Sequence, residues 1–395
     1  MPPRFIVFEA KVTKDNVAAA TNLLGAMVSS VPSNVDGAKG AMHCALSAAA
    51  AAPDEVLMEH LHDAAYLDTP MGMSVLGTDE TVAKLSANDV SAFAAKNVTA
   101  ARTVVAAAGA VDTKAFAEAA VAAFGGLSAG GASAVDASMA PATFTGSDKR
   151  LRFDSFPSAH VAVVFEGAAH GSPDAVAQAV MGAYLGSFDA GADALAPKNR
   201  TSRLTSDQGE QLAAHSLKVI NASYKDSGLF GVYFNAPDNR LEDGMWYTLW
   251  NMVRLVHKTT DADVAHAKTQ LKAQLAKAAG TSSGLAADLA KSIRSVAGAA
   301  FACLLQGLTL LPLRRRVDRR SHCLPLLRSL SRSTVGRAVS LKEMFARIDA
   351  VDAAAVKAVA KKVVNDNDHA LAAAGPIYEL PDYNWIRRRS YWLRY

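Results

Sequence analysis

Two stretches far apart in this 395-residue chain carry the same signals in the same order, which commits it to a fold assembled from two related halves. The first is residues 89–109. Val90, Phe93 and Ala94 fall at helical spacing, and Ser86 and Asn88 stand just before them as candidate N-caps. After a polar turn, the apolar run 104–108, closed by Gly109, reads as a buried strand. Near the other end, Asp352 opens a helix carrying Val356 and Val359, Lys361 and Lys362 end it, and residues 370–375 repeat the strand and its glycine. A second unit is doubled as well. Residues 5–12, followed by Asp15 and the helical face Val17, Leu24, Met27, are echoed by residues 161–167, Asp174 and Val176, Val180, Tyr184. The fold class expected is α+β, with two related domains, each a mixed β-sheet packed with helices.

The order of the chain places the boundaries. Residues 1–127 form the expected N-terminal domain, which starts in mid-sheet and so reads as N-terminally incomplete, with neither a signal-peptide core nor an amphipathic transit helix ahead of it. Residues 37–53 are helix-prone and alanine-dominated without a single carboxylate. Asp54 and Glu55 begin a further amphipathic segment with Val56, Leu57, His60 and Leu61 on or near one face. Residues 69–72 read as a turn and 76–80 as a loop, while Gly125 and Gly126 stop the helix that follows the first repeat. A linker rich in Gly, Ser and Ala is expected over 128–149, and the C-terminal domain over 150–395. Within it, residues 227–234 signal another strand and 261–279 a long amphipathic helix.

Composition excludes several classes. Half the residues are apolar, much of that alanine, and only 7% are aromatic, which favours many thin, closely packed helices over a bulky core. A net charge of +4 comes about half from local arginine clusters, and no long basic face is interleaved with stacking aromatics, so no nucleic-acid partner is expected. Cys44, Cys303 and Cys323 show no paired spacing, which speaks against a disulfide framework or a zinc knuckle. Among tempting side chains, His60 and His62 are two apart and point away from each other on a helix, so they read as packed or solvent-facing histidines. Cys44 beside His43 reads as a core cysteine. Ser206, Asp207 and His215 have the letters of a triad without a nucleophile elbow. The cluster Arg387, Arg388, Arg389 with Trp385, Tyr391 and Trp392 reads either as a solvated basic tail or as a surface for lipid head groups or a partner subunit.

Residues 59–72 (Glu-His-Leu-His-Asp-Ala-Ala-Tyr-Leu-Asp-Thr-Pro-Met-Gly) and 76–80 (Leu-Gly-Thr-Asp-Glu) resemble one group closely. They are similar to the beta subunit of the mitochondrial processing peptidase and to the core 1 protein of ubiquinol–cytochrome c reductase (respiratory complex III), both of the pitrilysin-like metallopeptidase superfamily. Residues 224–231, 345–349, 375–383 and 391–394 resemble further segments of that group, and the likeness covers the chain except for 301–333. The resemblance implies two related α+β domains. For the peptidase members it also implies zinc, bound by H-x-x-E-H and a glutamate well downstream, with the motif's own glutamate acting on the metal-bound water. No H-x-x-E-H occurs here, the nearest string being residues 56–60, Val-Leu-Met-Glu-His. By register the motif would lie upstream of residue 1, and the downstream glutamate would fall in the acid-free run 37–53. No catalytic, cofactor-binding or metal residue is therefore assigned, and no cofactor is expected, with zinc only if a longer native N-terminus supplies the motif. The reading that follows is a non-catalytic core 1-like subunit of complex III. It would sit peripherally on the matrix face of the mitochondrial inner membrane, paired with a core 2 or processing-peptidase alpha-type subunit and other complex III subunits. The alternatives are a processing-peptidase beta subunit represented by an incomplete chain, or an imperfect gene model.

Residues 301–333 depart from all this by exchanging alanine for leucine and arginine, with Asp318 their only acid. The uncharged run between Arg294 and Arg314 is just long enough for a transmembrane candidate, but Gly298, Gln306, Gly307 and Pro312 weigh against one. The segments on either side resemble neighbours in the family, so the block reads as a loose surface insertion. Because loop closure depends only weakly on length, deleting 301–333 is expected to leave the melting midpoint about unchanged, and unfolding of the C-terminal half on deletion would show the block to be integral.

Overall fold

The computed structural model describes residues 6–391 except 31–34, 51, 76, 129–141, 170, 194–201, 225 and 297–340. The expected insertion and most of the expected linker lie outside the described residues. The first third is helical: α1 (Val17–Ser29), α2 (Val35–Ala50), α3 (Pro53–Ala65), α4 (Asp79–Lys84), α5 (Ala87–Asn97) and α6 (Thr113–Phe124). Strands and helices then mix: β1 (Asp148–Arg152), β2 (Ala159–Gly167), α7 (Asp174–Leu185), β3 (Phe188–Asp189), α8 (Arg203–Glu210), β4 (Ser216–Ser223) and β5 (Gly228–Ala236). After them come α9 (Leu241–His257), α10 (Asp261–Ala279), α11 (Ser282–Val296), α12 (Leu341–Asp349), α13 (Ala353–Val363), β6 (His369–Gly375) and α14 (Tyr383–Arg388).

The strands form one open mixed sheet in the order β1-β6-β2-β5-β4-β3. β1 runs parallel to β6, and the remaining pairs are antiparallel, with Val163 opposite Val232 on one side and Leu371 on the other. Side-chain alternation divides the sheet cleanly between two cores. Val161, Val163, Phe165, Phe230, Val232, Phe234, Leu371 and Ala373 enter the larger core beneath α7, α9 and α13. Their neighbours in sequence, Ala162, Val164, Leu229, Tyr233, Ala370, Ala372 and Ala374, face the other way and meet Leu57, Leu61, Ala64, Ala65 and Tyr66 of α3 and the residue after it. β2 and β5 can lie so close because Gly231 has no side chain: a Cβ there would sit 2.0 Å from the carbonyl oxygen of Val163.

The expected α/β mixture is present, and several local readings hold to the residue. Ser86 caps α5 through a capping box with Asp89, so Asn88 is a helical residue and not the cap. Asp352 caps α13 by accepting from the Ala355 amide. Gly109 and Gly375, read as equivalents, have φ of 127° and 122°, the left-handed side that a glycine tolerates. Two strand readings differ from the structure. Residues 6–12 and 104–108 belong to no strand or helix, because a strand needs a hydrogen-bonded neighbour and none of the described residues supplies one. The loop read at 76–80 also gives way, at Asp79 and Glu80, to α4, which Thr78 caps.

Helices α1 and α6 pack on each other, with Gly25 against Ala123, yet only Thr21 and Gly25 of α1 are buried and no residue of α6 is. Burial, and so stability, is concentrated at the sheet. Leu61→Ala is expected to cost about 2–5 kcal/mol through the cavity it leaves between α3 and the sheet. Leu23→Ala, on a side chain 61% exposed, should change stability by less than about 0.5 kcal/mol, and the two melting midpoints provide the check.

Candidate functional site

Polar side chains concentrate where α3 lies across the sheet. α3 begins with Pro53 at its first turn and carries Asp54 and Glu55 there, an arrangement that suits the positive end of a helix. Three of its side chains, and Tyr66 just beyond its end, reach residues at least 86 positions later in the chain. At its start, the Tyr233 hydroxyl donates to Asp54 Oδ1 at 2.5 Å and lies 2.7 Å from His160 Nδ1, which is itself 3.2 Å from the same carboxylate oxygen. Lys218 Nζ stands 3.6 Å from Asp54 Oδ2 and 5.6 Å from the centre of the Tyr233 ring.

At mid-helix, Lys149 pairs with Asp63 at 2.5 Å. Near the end, His62 Nδ1 lies 2.6 Å from the Met58 carbonyl and Nε2 lies 2.6 Å from the Tyr224 hydroxyl. The carbonyl can only accept, so Nδ1 carries the hydrogen and Nε2 accepts from Tyr224. Tyr66 donates to Ser227 at 3.3 Å and packs edge-on against Tyr224.

These groups are tuned toward neutrality. Burial, opposed by the Met58 carbonyl, lowers the His62 pKa below the usual imidazole value. Burial likewise lowers His160 against the pull of Asp54, and burial followed by Lys149 lowers His60. Burial and then the Asp54 hydrogen bond push the Tyr233 phenol far up, so it stays protonated. A phenol locked to a carboxylate, and the His62 ring with both nitrogens already bonded, make a joint between α3 and the sheet.

The residues singled out in the sequence are placed apart. His62 is buried and structural, whereas His60 is half-buried beside it and does not converge with it. Glu59, of the nearest string to the zinc motif, accepts from the Ser74 hydroxyl at 3.1 Å. Cys44 is exposed, which corrects its reading as a core cysteine: no residue of α2 is buried. His43 finds a partner that local sequence did not offer, Asp79 at 2.7 Å, which ties α2 to α4. Asp207 pairs with Arg203 and accepts from Asn251, while Ser206 sits within α8 and His215 is exposed beyond it, so the triad letters do not assemble.

In the basic cluster, Arg387 is bound to Asp366 and Asp368 and Arg389 lies 3.5 Å over the Trp385 ring, leaving Arg388 exposed. Among the described residues no three His, Cys, Asp or Glu side chains cluster as metal ligands would. The residues of the joint that sequence reading missed are His160, Tyr224 and Tyr233. For His160 and Tyr233 a signal existed, since each shares strand parity with side chains facing α3, namely Ala162 and Leu229.

Comparison with known proteins gives the relatives. Residues 84–271 match the family described as Peptidase M16 inactive domain. The chain is 36% identical to the probable mitochondrial-processing peptidase subunit beta of Arabidopsis thaliana over 87% of its own length and 57% of that protein's. It is 31% identical to the mitochondrial-processing peptidase subunit beta of Blastocladiella emersonii over 98% of its length and 75% of that protein's. With the human cytochrome b-c1 complex subunit 1 it shares 29% identity over 86% of its length and 62% of that protein's. Among solved structures, a chain of complex III2 from Candida albicans, bound to Inz-5, superposes with a TM-score of 0.77 at 25% identity, covering 96% of this chain and 82% of that one. The chain thus spans about three-fifths of the Arabidopsis and human relatives.

If the joint fastens α3, breaking one bond should be costly and breaking both partners less so. Tyr224→Phe is expected to lose about 1–3 kcal/mol, because it strands the buried His62 nitrogen. Adding His62→Leu should then cost less than His62→Leu costs alone, a non-additivity that paired denaturant melts would reveal.

Proposed function

Because the chain belongs to the peptidase M16 family, alongside processing-peptidase beta subunits and cytochrome b-c1 complex subunit 1, we propose that it is a non-catalytic, core 1-like subunit of mitochondrial complex III. The observation that carries this reading is the donor set of residues 37–53 and α3. Where the resemblance calls for the downstream metal ligand, α2 offers no carboxylate after Asp36; its own donors are His43, which is paired with Asp79, and Cys44, which is exposed. Glu59 and His60 supply half of a zinc motif, but Val56 stands at the position of the first histidine, and Glu59 is bonded to Ser74. These residues do not fit zinc, since His43 is engaged by Asp79, His62 by Met58 and Tyr224, and Glu59 by Ser74, and among the described residues no three donors converge on one point.

An assembly role has positive support as well. Ile6, Val7, Phe8, Val12, Leu23, Met27, Phe93 and Val121 are exposed in the first third of the chain, whereas the larger remainder exposes only Phe153, Leu212 and Tyr378 among its large apolar side chains within the described residues. Apolar surface of that extent marks a face that another chain covers. A core 2 or alpha-type subunit is the partner proposed, with further complex III subunits around it. Among the described residues no helix is long and apolar enough to cross a membrane; a peripheral place on the matrix side of the inner membrane is part of the proposal.

A second reading, a processing-peptidase beta subunit, is favoured by identity alone, at 36% and 31% against 29% for the human complex III subunit. The two readings separate in one preparation. The affinity-tagged protein from mitochondria should bring down complex III subunits, hold less than a stoichiometric amount of zinc and leave presequence peptides uncut. One zinc per chain with chelator-sensitive cleavage would establish the second reading instead.

A further inference from the structure

At the outer end of the sheet the first residue of β6, His369, is a titratable group that the joint with α3 does not use. It is 0% exposed, and neither ring nitrogen has a hydrogen-bond partner. Its ring stacks on Tyr383 at 4.1 Å between centres with planes 16° apart, and Phe165 of β2 lies 6.2 Å away. Tyr383 begins α14, and that helix is strapped across the strand ends by a set of ionic and backbone bonds. Arg387 reaches the side chain of Asp366 at 2.7 Å, its carbonyl at 2.6 Å and Asp368 at 2.8 Å. Arg150 of β1 donates to the carbonyls of Leu380 and Pro381, at 3.2 and 2.7 Å, and the Asp366 amide donates to the Ser390 carbonyl. Gly146 leaves room for the stack, as a Cβ there would lie 2.7 Å from the Tyr383 hydroxyl.

We infer that α14 and the segment to Tyr391 form a proton-released clasp, closed while His369 is neutral and opened when its ring is protonated. A neutral imidazole leaves one donor and one acceptor unpaired in this place, but an imidazolium would bury a charge with two unpaired donors. It can find water only if the Tyr383 ring lifts away, which pulls α14 with it. The charged groups around the ring come from three elements: Asp148 and Arg150 on β1, Asp368 just before β6, and Arg387 on α14. Burial outweighs the two carboxylates and holds the closed-state pKa down, from 6.5 to about 4. The neutral form is therefore favoured by the closed clasp. Its advantage is complete above the ordinary imidazole pKa and is lost as pH falls from 6.5 toward 4. Over that window the closed-to-open ratio should drop by about 80-fold, toward a limit of about 300-fold well below pH 4 that a gap of this size implies.

Hydrogen exchange of the full chain, corrected for the intrinsic pH dependence of amide exchange, tests the clasp. Amides of residues 383–391 should lose protection between pH 7.5 and 5 by at least tenfold, while those of β2 and β5 stay protected. His369→Phe, which keeps a ring for the stack and removes the titration, should hold its protection at pH 5. Arg387→Ala should open the segment already at pH 7.5 and return the His369 pKa, followed by its ring NMR signals, toward 6.5. Unchanged protection of the wild-type segment at pH 5, or an identical loss in His369→Phe, would overturn the proposal. Should His369→Phe fail to fold, a His369 pKa that stays depressed in Arg387→Ala would overturn it on its own.

Discussion

A strand that is apolar on both sides must be covered twice. β2 reads Ala-His-Val-Ala-Val-Val-Phe from Ala159 to Phe165, and β6 is nearly all alanine and leucine, so neither can turn a face to water. The larger cover comes from helices close in sequence, α7 and α9, together with α13. The second cover is α3, which ends more than ninety residues before β2 begins. Each fully buried leucine on that side contributes about 1.5–3 kcal/mol relative to an exposed one, and Leu57, Leu61 and Tyr66 are all at 0% exposure. The first half of the chain is thus bound into the core of the second, and the sheet cannot be complete without it.

Covering a sheet with a helix also buries whatever polar groups lie between them. The joint pairs nearly every one: Tyr233 with Asp54 and His160, His62 with Tyr224, Tyr66 with Ser227. Pairing fixes the angle at which α3 crosses the strands, because each bond loses most of its worth when donor and acceptor turn away from each other. The contrast with His369 is instructive. There the sheet end buries an imidazole without partners, and the ring lies under a six-residue helix held by ionic bonds at the surface. One region is fastened by satisfied groups, the other by a balance that a single proton shifts.

Much of this was legible in the sequence. The capping residues Ser86 and Asp352, the helix Asp261–Ala279, the strand around 228–236 and the glycines that close the two repeats all follow from local chemistry, which the structure leaves in place. What could not be read is anything decided by a neighbour. Residues 104–108 have the composition of a strand and the same following glycine as β6, yet only β6 is flanked by β1 and β2. Cys44 looked like a core residue because it and His43 have no acidic or histidine companion nearby in sequence, but none of the described residues packs closely enough over α2 to bury a side chain. Alanine-rich helices carry little amphipathic signal, so their burial is settled by what lies against them. The joint was the least legible feature, since Tyr224 and Tyr233 are ordinary tyrosines until α3 is laid across the sheet.

The asymmetry between the halves connects fold to role. The second half, closed by α3, hides its large apolar side chains. The first, with segments 6–12 and 104–108 outside any sheet and exposed apolar side chains on α1, α5 and α6, does not. A surface like this is costly in water and persists in a functional protein only when something covers it. On the proposed reading, the architecture is kept for the surfaces that hold the chain in an assembly. Residues of the α3 joint answer to folding, whereas the exposed apolar residues of the first third answer to the partner.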